Sequence, residues 1–390
     1  MRAGDSGMHP GTAPLRGIVV AELGHSVAAP YAGQVLGDLG AEVVKIEKPA
    51  GDDARKWGPP FLDGAAASFQ ALNRNKRSVV CELRDPVQRA RLLEFIGERA
   101  DVVLQNLRPG QAEALGLGAQ ALRAAKPALV YCNLGAFGAR GPLADRPGYD
   151  PLMQAFGGIM SVVGEEGRPP VRVGPSMIDM GTALWAALGI VAALYRRRET
   201  GLGCVVDVSL FETSAAWMSL FAAQYLASGE LPQKHGSGQV GIVPYRAYRT
   251  LDGDLVVAAG NDALFRRYCE VLGHPEWAQD ARFATNPDRV RQRDVLYPLI
   301  ETQMARRTSG EWIATLDAAG VPCAPVQNVA QMLGHEQLRA LGLLQPVPGS
   351  SVPLIGLPIS FDGARPAPRA ASPALGEFTA QVLGASPEDP

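Results

Sequence analysis

Apolar positions in the N-terminal half of the chain change period in a regular way. The stretch 17–23 is a short apolar run, 30–39 carries helical spacing, and 41–46 returns to a run of strand type, which together make a βαβ start. Strand 78–83, helix 86–100, strand 101–105, helix 112–124 and strand 128–133 continue the alternation. Elements of this length in this order predict a parallel sheet covered by helices on both faces, a Rossmann-like α/β fold. After residue 150 the rhythm breaks. A Gly-containing segment over 157–160 and a turn-rich stretch to Gly174 precede a long helix over 179–198, which Gly201 and Gly203 stop. A further helix over 211–226 leads into Gly236-Ser-Gly238, then into strand-like 245–249 and 255–259 around the turn at Asp252 and Gly253. Helices over 263–272, 290–304 and 309–319 complete a smaller α/β unit, which the Pro-rich 320–325 closes. The expected organisation is a disordered lead-in over 1–14, a large domain over 15–225, a small domain over 226–325 and a return to the large domain over 326–390.

Composition narrows the function classes. A chain of 390 residues, 47% of them hydrophobic, is long enough for two or three domains of a soluble globular protein. Its 37 basic and 39 acidic residues leave a formal charge of -2, so there is no general field for nucleic acid or an anionic membrane, and any anion site is local. Cys81, Cys132, Cys204, Cys269 and Cys323 are scattered and include no CxxC pair, which predicts reduced thiols in a cytoplasmic protein. The five histidines are equally dispersed, so no metal centre is expected. The apolar stretches 182–195 and 214–227 fall short of the roughly 20 residues of a membrane-spanning helix and are expected as buried helices. No secretory signal is expected at the N-terminus.

The candidate chemistry sits at corners. The chain has no G-x-S-x-G elbow, no H-E-x-x-H and no P-loop. After the first strand stands His25-Ser-Val-Ala-Ala-Pro30 rather than G-x-G-x-x-G, which argues against a dinucleotide site. What remains is a set of charged and amide side chains at strand ends and turns: Asp53, Arg55, Asn73, Arg74, Lys76, Arg77, Asn106, Arg108, Asp150 and Asp179. On these alone an anion-binding enzyme and a generic α/β protein stand level.

Six ordered segments add a resemblance. Gly33-Gln-Val-Leu-Gly-Asp-Leu-Gly-Ala-Glu-Val-Val-Lys-Ile-Glu-Lys-Pro49, Asn73-Arg-Asn-Lys-Arg-Ser78, Asp101-Val-Val-Leu-Gln-Asn-Leu-Arg-Pro-Gly110, Gly138-Ala-Arg-Gly-Pro142, Arg146-Pro-Gly-Tyr-Asp150 and Thr200-Gly-Leu-Gly203 resemble the family III CoA-transferases. The resemblance implies a large Rossmann-like domain, a small α/β domain and an interlocked homodimer. It implies acyl-CoA and a carboxylic acid as substrates, with no permanently bound cofactor. Asp179, in Val173-Gly-Pro-Ser-Met-Ile-Asp179, falls at the family's catalytic aspartate. Placed at a helix start it is expected to stay ionised through the helix dipole and free amides, and the plainer reading is that it only caps that helix. By matched position Ser26, Val27, Ala28, Lys48, Arg84, Asn106 and Leu107 are expected along the CoA path, with Lys48 and Arg84 as phosphate partners. Lys76 and Arg77 are equally well read as solvated or ion-paired. Ala114 stands where many relatives carry an arginine near the CoA phosphates, so that charge is met in another way or CoA binds more weakly.

The mechanism implied is attack of the Asp179 carboxylate on a thioester, through a mixed anhydride and an aspartyl-CoA thioester. Gly236, Ser237 and Gly238 are expected either as a covering loop whose amides help an oxyanion or as a plain turn between domains. The stretch 241–261 most resembles the branch that uses succinyl-CoA with dicarboxylic acceptors, and Arg55, Arg246 or Arg249 would meet a second carboxylate. An α-methylacyl-CoA racemase is the competing enzyme; it carries His-Asp at Tyr149-Asp150 and a Glu at Arg249, so this chain lacks a proton carrier on one face. A binding protein that has lost turnover has no need of Asp179.

Overall fold

The structure, a computed structural model, describes residues 13–384. All but the last two residues of the expected lead-in lie outside them. The chain divides into two compact units. Of the described residues, one takes those up to Ile159, Val173–Leu220 and those from Glu336 on; the other takes Met160–Arg172 and Phe221–His335. The expected division had a single excursion, over 226–325. The leg 160–172 escaped it because it carries no period of either kind.

The first unit is built on β1 (Val19–Leu23), β2 (Glu42–Glu47), β3 (Lys76–Val80), β4 (Val102–Gln105), β5 (Val130–Gly135) and β6 (Val205–Ser209). All six are parallel, in the order β3-β2-β1-β4-β5-β6. This is the doubly wound order, whose crevice opens between β1 and β4 at the carboxyl ends of the strands. Among its helices are α1 (Ala28–Asp38), α2 (Pro86–Glu98), α3 (Asp150–Phe156), α4 (Met177–Thr200) and α5 (Leu210–Trp217). On one face Leu92, Phe95 and Ile96 of α2 pack with Val44, Ile46, Val103 and Tyr131. On α1 half of the buried positions are Ala or Gly, among them Ala28, Ala29, Ala32 and Gly33, and α4, which packs against it, buries Gly181, Ala183, Ala186 and Ala187.

Three local departures from the pattern have physical causes. The expected helix 112–124 is two short helices, because Gly116 between them is left-handed at φ +71. Strand β6 was not expected; it is five residues wedged between two helices, too short for its alternation to register. Helix α4 has 24 residues and contains an 18-residue window with a mean hydropathy of 1.8, long and apolar enough to cross a membrane, where the apolar stretch alone suggested less. Half of that apolar window is buried within the protein, including Ile178, Ala183, Ala186 and Ile190. The helix ends at left-handed Gly201, as expected.

The second unit is a small antiparallel sheet with helices. Strands β7 (Tyr245–Arg249) and β9 (Cys323–Pro325) flank β8 (Asp254–Ala258). Helices α6 (Asp262–Leu272), α7 (Arg293–Met304) and α8 (Ser309–Ala318) bury Phe265, Tyr268, Leu296, Ile300, Trp312 and Leu316 with Tyr248, Leu255 and Val257.

Candidate functional site

The carboxyl ends of β1 to β5 border a cavity of about 1260 Å³ in the first unit. Open α/β sheets bind ligands at this edge, and the volume suits a ligand larger than a typical drug molecule. Ser26, Val27, Ala28, Lys48, Arg84, Asn106, Leu107 and Asp179 all border it. So do Leu23, Ile46, Trp57, Leu115, Leu134 and Leu210, which supply apolar wall.

The turn after β1 is held from beneath by buried charge. Lys45 of β2 is fully buried; its ammonium donates to Gly24 O at 2.7 Å, Asp52 Oδ2 at 2.9 Å and Glu22 Oε1 at 3.2 Å. Asp52 Oδ1 accepts from Ser26 N, so the left-handed backbone of Ser26, φ +69, is held by a bond its own side chain does not make. Asn106 at the end of β4 donates to His25 O and accepts from His25 N, both at 3.0 Å. Its amide is thus spent on shaping the turn. The N–H of Leu107 is taken by Gln105 Oε1 at 2.7 Å. A Cβ on Gly33 would lie 1.9 Å from Glu22 Oε2, so α1 passes over this cluster only as glycine.

The cavity's cations differ in their freedom. Lys48 pairs with Asp53 at 2.7 Å, both largely exposed. Arg84 and Arg108 border the cavity, and neither side chain pairs with a carboxylate among the described residues, although the Arg84 backbone N–H donates to Glu82 Oε1 at 3.1 Å. Ala114 borders it as well, as do Arg108 and Arg146. Lys76 and Arg77 do not border it. Lys76 is buried, with Glu22 Oε2 at 2.8 Å, and donates to Pro30 O and Asn73 Oδ1; burial pulls its ammonium down to about 8 against the opposing pull of Glu22. Arg77 pairs with Glu42 at 3.1 Å. For both, the ion-paired reading describes the side chain, and for Lys76 the solvated one does not.

Asp179 departs from its expected electrostatics. It lies in the first turn of α4, but the open amides there are taken by Asp150, which is 2% exposed: Ile178 N donates to Asp150 Oδ2 at 2.7 Å and Asp179 N at 3.2 Å. The helix start is therefore capped by a carboxylate 29 residues upstream. Burial first, and the negative charge of Asp150 second, push the Asp179 carboxyl up to about 7. The dipole does not keep it fully ionised at neutral pH. A desolvated carboxylate on a cavity wall, uncapped and half protonated near pH 7, is suited to nucleophilic attack.

The residues expected to read substrate scatter. Arg55 gives Nε to Glu47 Oε2 at 2.8 Å, Nη2 to Glu47 Oε1 at 2.7 Å and Nη1 to Pro373 O at 3.1 Å, and lies over the Phe69 ring. With three of its donors engaged it is a structural clamp. Arg249 is exposed and pairs with Asp254 at 3.3 Å. Arg246 borders a smaller cavity of about 240 Å³ within the second unit, with Gly236, Ser237, Gly238, His235 and Arg293. In that loop Gly236 N donates to Gly164 O and Gly238 N to His235 O, so two of its three amides are already used and do not await an oxyanion. Several cavity residues went unnamed as ligand contacts: His25, Trp57, Arg146 and Tyr149. His25 adjoins Ser26 in the same turn, and Arg146 and Tyr149 lie in a quoted motif, so position next to an expected residue was the available signal.

Comparison with known proteins gives this geometry a family. The chain is 33% identical over 374 residues to the succinyl-CoA:glutarate CoA-transferase of Mus musculus, covering 95% of this chain and 86% of that one. It is 36% identical over 380 residues to the succinate--glutarate CoA-transferase of Agrobacterium fabrum, covering 95% of each. A crystal structure of a CAIB/BAIF family protein from Brucella suis superposes with a TM-score of 0.86 at 38% identity, covering 95% of this chain and 98% of that one. With the profile of CoA-transferase family III matching residues 15–379, the chain belongs to that family and is a CoA-transferase.

Proposed function

We propose that the chain transfers CoA from succinyl-CoA to a free dicarboxylic acid, with Asp179 as the nucleophile. The observation that carries the reading is that an uncapped carboxylate, held near neutral pKa, borders the same cavity as Lys48, Arg84 and Arg108. Asp179 attacks the thioester carbonyl, giving a mixed succinyl-aspartyl anhydride and CoA thiolate. The thiolate attacks the aspartyl carbonyl, releasing succinate and leaving an aspartyl-CoA thioester. The acceptor carboxylate attacks that thioester to give a second anhydride and free thiolate, which attacks the acceptor acyl carbon and restores Asp179. Acyl activation is conserved throughout, so no nucleotide is consumed. Lys48, Arg84 and Arg108 meet the CoA phosphates, and the apolar wall takes the pantetheine.

The dicarboxylate is supported by the names of the two relatives, which pair succinyl-CoA or succinate with glutarate. Of the three arginines considered for its second carboxylate, none borders the cavity that holds Asp179; Arg246 borders the small cavity of the second unit and pairs with Glu301 at 3.5 Å. Exchange of label between succinate and succinyl-CoA, followed by an acceptor panel, tests the reading. Lys48→Ala with Arg84→Ala is expected to raise KM for acyl-CoA by about 10-fold and leave KM for dicarboxylates unchanged. No exchange, or equal use of mono- and dicarboxylates, overturns it.

A second copy of the chain is the proposed partner. Leu184, Trp185 and Leu188 of α4 are 49%, 41% and 58% exposed, and the Trp217 ring lies 6.0 Å from that of Trp185. So apolar a surface is costly to leave in water. Sedimentation at micromolar concentration is expected to give the mass of two chains, and a monomer there sinks the proposal.

A further inference from the structure

We infer that Gln154 is a positioning residue for Asp179, acting through the backbone of Val173 and the carboxylate of Asp150. The inference rests on Asp179 being the nucleophile. Gln154 is fully buried on α3, one turn after Asp150 and on the same face of the helix. Its Nε2 donates to Asp150 Oδ1 at 2.6 Å and lies 3.4 Å from Val173 O, and its Oε1 accepts from Val173 N at 2.8 Å. The contacts dictate the amide's orientation, since the flipped form sets NH2 against N–H and oxygen against carboxylate.

Val173 is the residue at which the chain rejoins the first unit after Met160–Arg172. From there to Ser176 it has no regular structure, and α4 begins at Met177. The segment is therefore tied at both ends to α3. Gln154 holds its start at Val173, and Asp150, itself oriented by Gln154, holds Ile178 N and Asp179 N at its end. A buried amide that meets a peptide group on both sides and a carboxylate on the third fixes where the segment runs. Nucleophilic attack is sensitive to such placement, because a shift of about 1 Å at the reacting group costs on the order of 100-fold in rate.

Gln154→Met keeps the length and bulk of the side chain and removes its polar contacts. The expected result is kcat lowered by about 30-fold, KM for acyl-CoA within about 3-fold of wild type, and faster amide hydrogen exchange at Val173 with the rest of α3 and α4 unchanged. If Gln154→Met does not fold, Gln154→Asn serves, since it is too short to reach both Val173 and Asp150. A kcat within about 3-fold of wild type in the folded variant overturns the inference. So does a loss shared by KM, or a fall in kcat with unchanged exchange at Val173. Asp179→Asn assayed in parallel separates the layers: an active Asp179→Asn defeats the nucleophile reading, whereas an inactive one beside a normal Gln154→Met defeats the positioning role alone.

Discussion

Replacing Asp179 with asparagine is expected to remove CoA transfer while making the folded protein more stable at pH 8. Asparagine keeps the shape and loses the nucleophilic oxygen, so kcat should fall by about 1,000-fold or more. The stability gain follows from the raised pKa. Below the ordinary carboxylate value of 3.8 the group is protonated in both folded and unfolded chains, and the variant gains nothing. Between 3.8 and about 7 the unfolded chain releases a proton that the folded one retains, so wild-type stability declines as pH rises through this window. Above it the full penalty of a buried charge beside Asp150 is present. A shift of this size, discounted for the partial exposure of the site, corresponds to about 1–3 kcal/mol. Thermal melts at pH 8 and pH 4 check it: the variant should melt higher at pH 8 and with wild type at pH 4. The acid limb of wild-type kcat/KM should have its midpoint near 7, the value to which the Asp179 carboxyl is pushed. A limb near 4, or equal melting at pH 8, contradicts this account of the site.

The source of that penalty was hidden from the sequence. Asp179 before a long apolar run reads as a cap, because capping is ordinarily a local event within a few residues. Here Asp150 supplies it from α3, a pairing set by how two helices meet. Arg55 failed for a related reason. A guanidinium at a turn looks available until Glu47, on the neighbouring strand end, is seen to take two of its donors. By contrast the cavity wall was legible through the resemblance, which placed Ser26, Lys48, Arg84 and Asn106 by matched position; each follows a strand, and parallel topology gathers those ends on one edge. What the pattern located was the edge; what it could not give was which polar groups there were spent on one another. Asn106 shows the difference, reaching the cavity yet committing its amide to His25.

The same distinction between a charge at the surface and a charge committed underneath predicts the largest stability effect in the molecule. Lys45→Met is expected to destabilise the fold by about 3–5 kcal/mol at pH 7.5, because it leaves Asp52 Oδ2 and Gly24 O without their donor and Glu22 with Lys76 alone. Lys48→Met, which breaks a shorter pair at 2.7 Å, should cost no more than about 0.5 kcal/mol, since both partners are exposed and water replaces the contact. Burial, and not distance, decides between them. The pH dependence carries the sign. In the wild type, burial raises the Asp52 carboxyl but Lys45 and the amides of Ala54 and Ser26 outweigh it and hold it below its usual value, so its contribution is present above that value and lost in acid. Without Lys45 the opposing cation is gone and burial wins. The carboxyl then rises above its unfolded value, the folded variant retains a proton the unfolded chain has released, and its stability falls as pH climbs. The gap to wild type should therefore be widest at pH 7.5 and narrow toward pH 5, which urea unfolding at the two values measures. The loosened turn at Gly24 to Ser26 should also raise KM for acyl-CoA. A difference below about 1 kcal/mol at pH 7.5, or a gap that widens in acid, would mean that this buried cluster does not hold the cavity's floor.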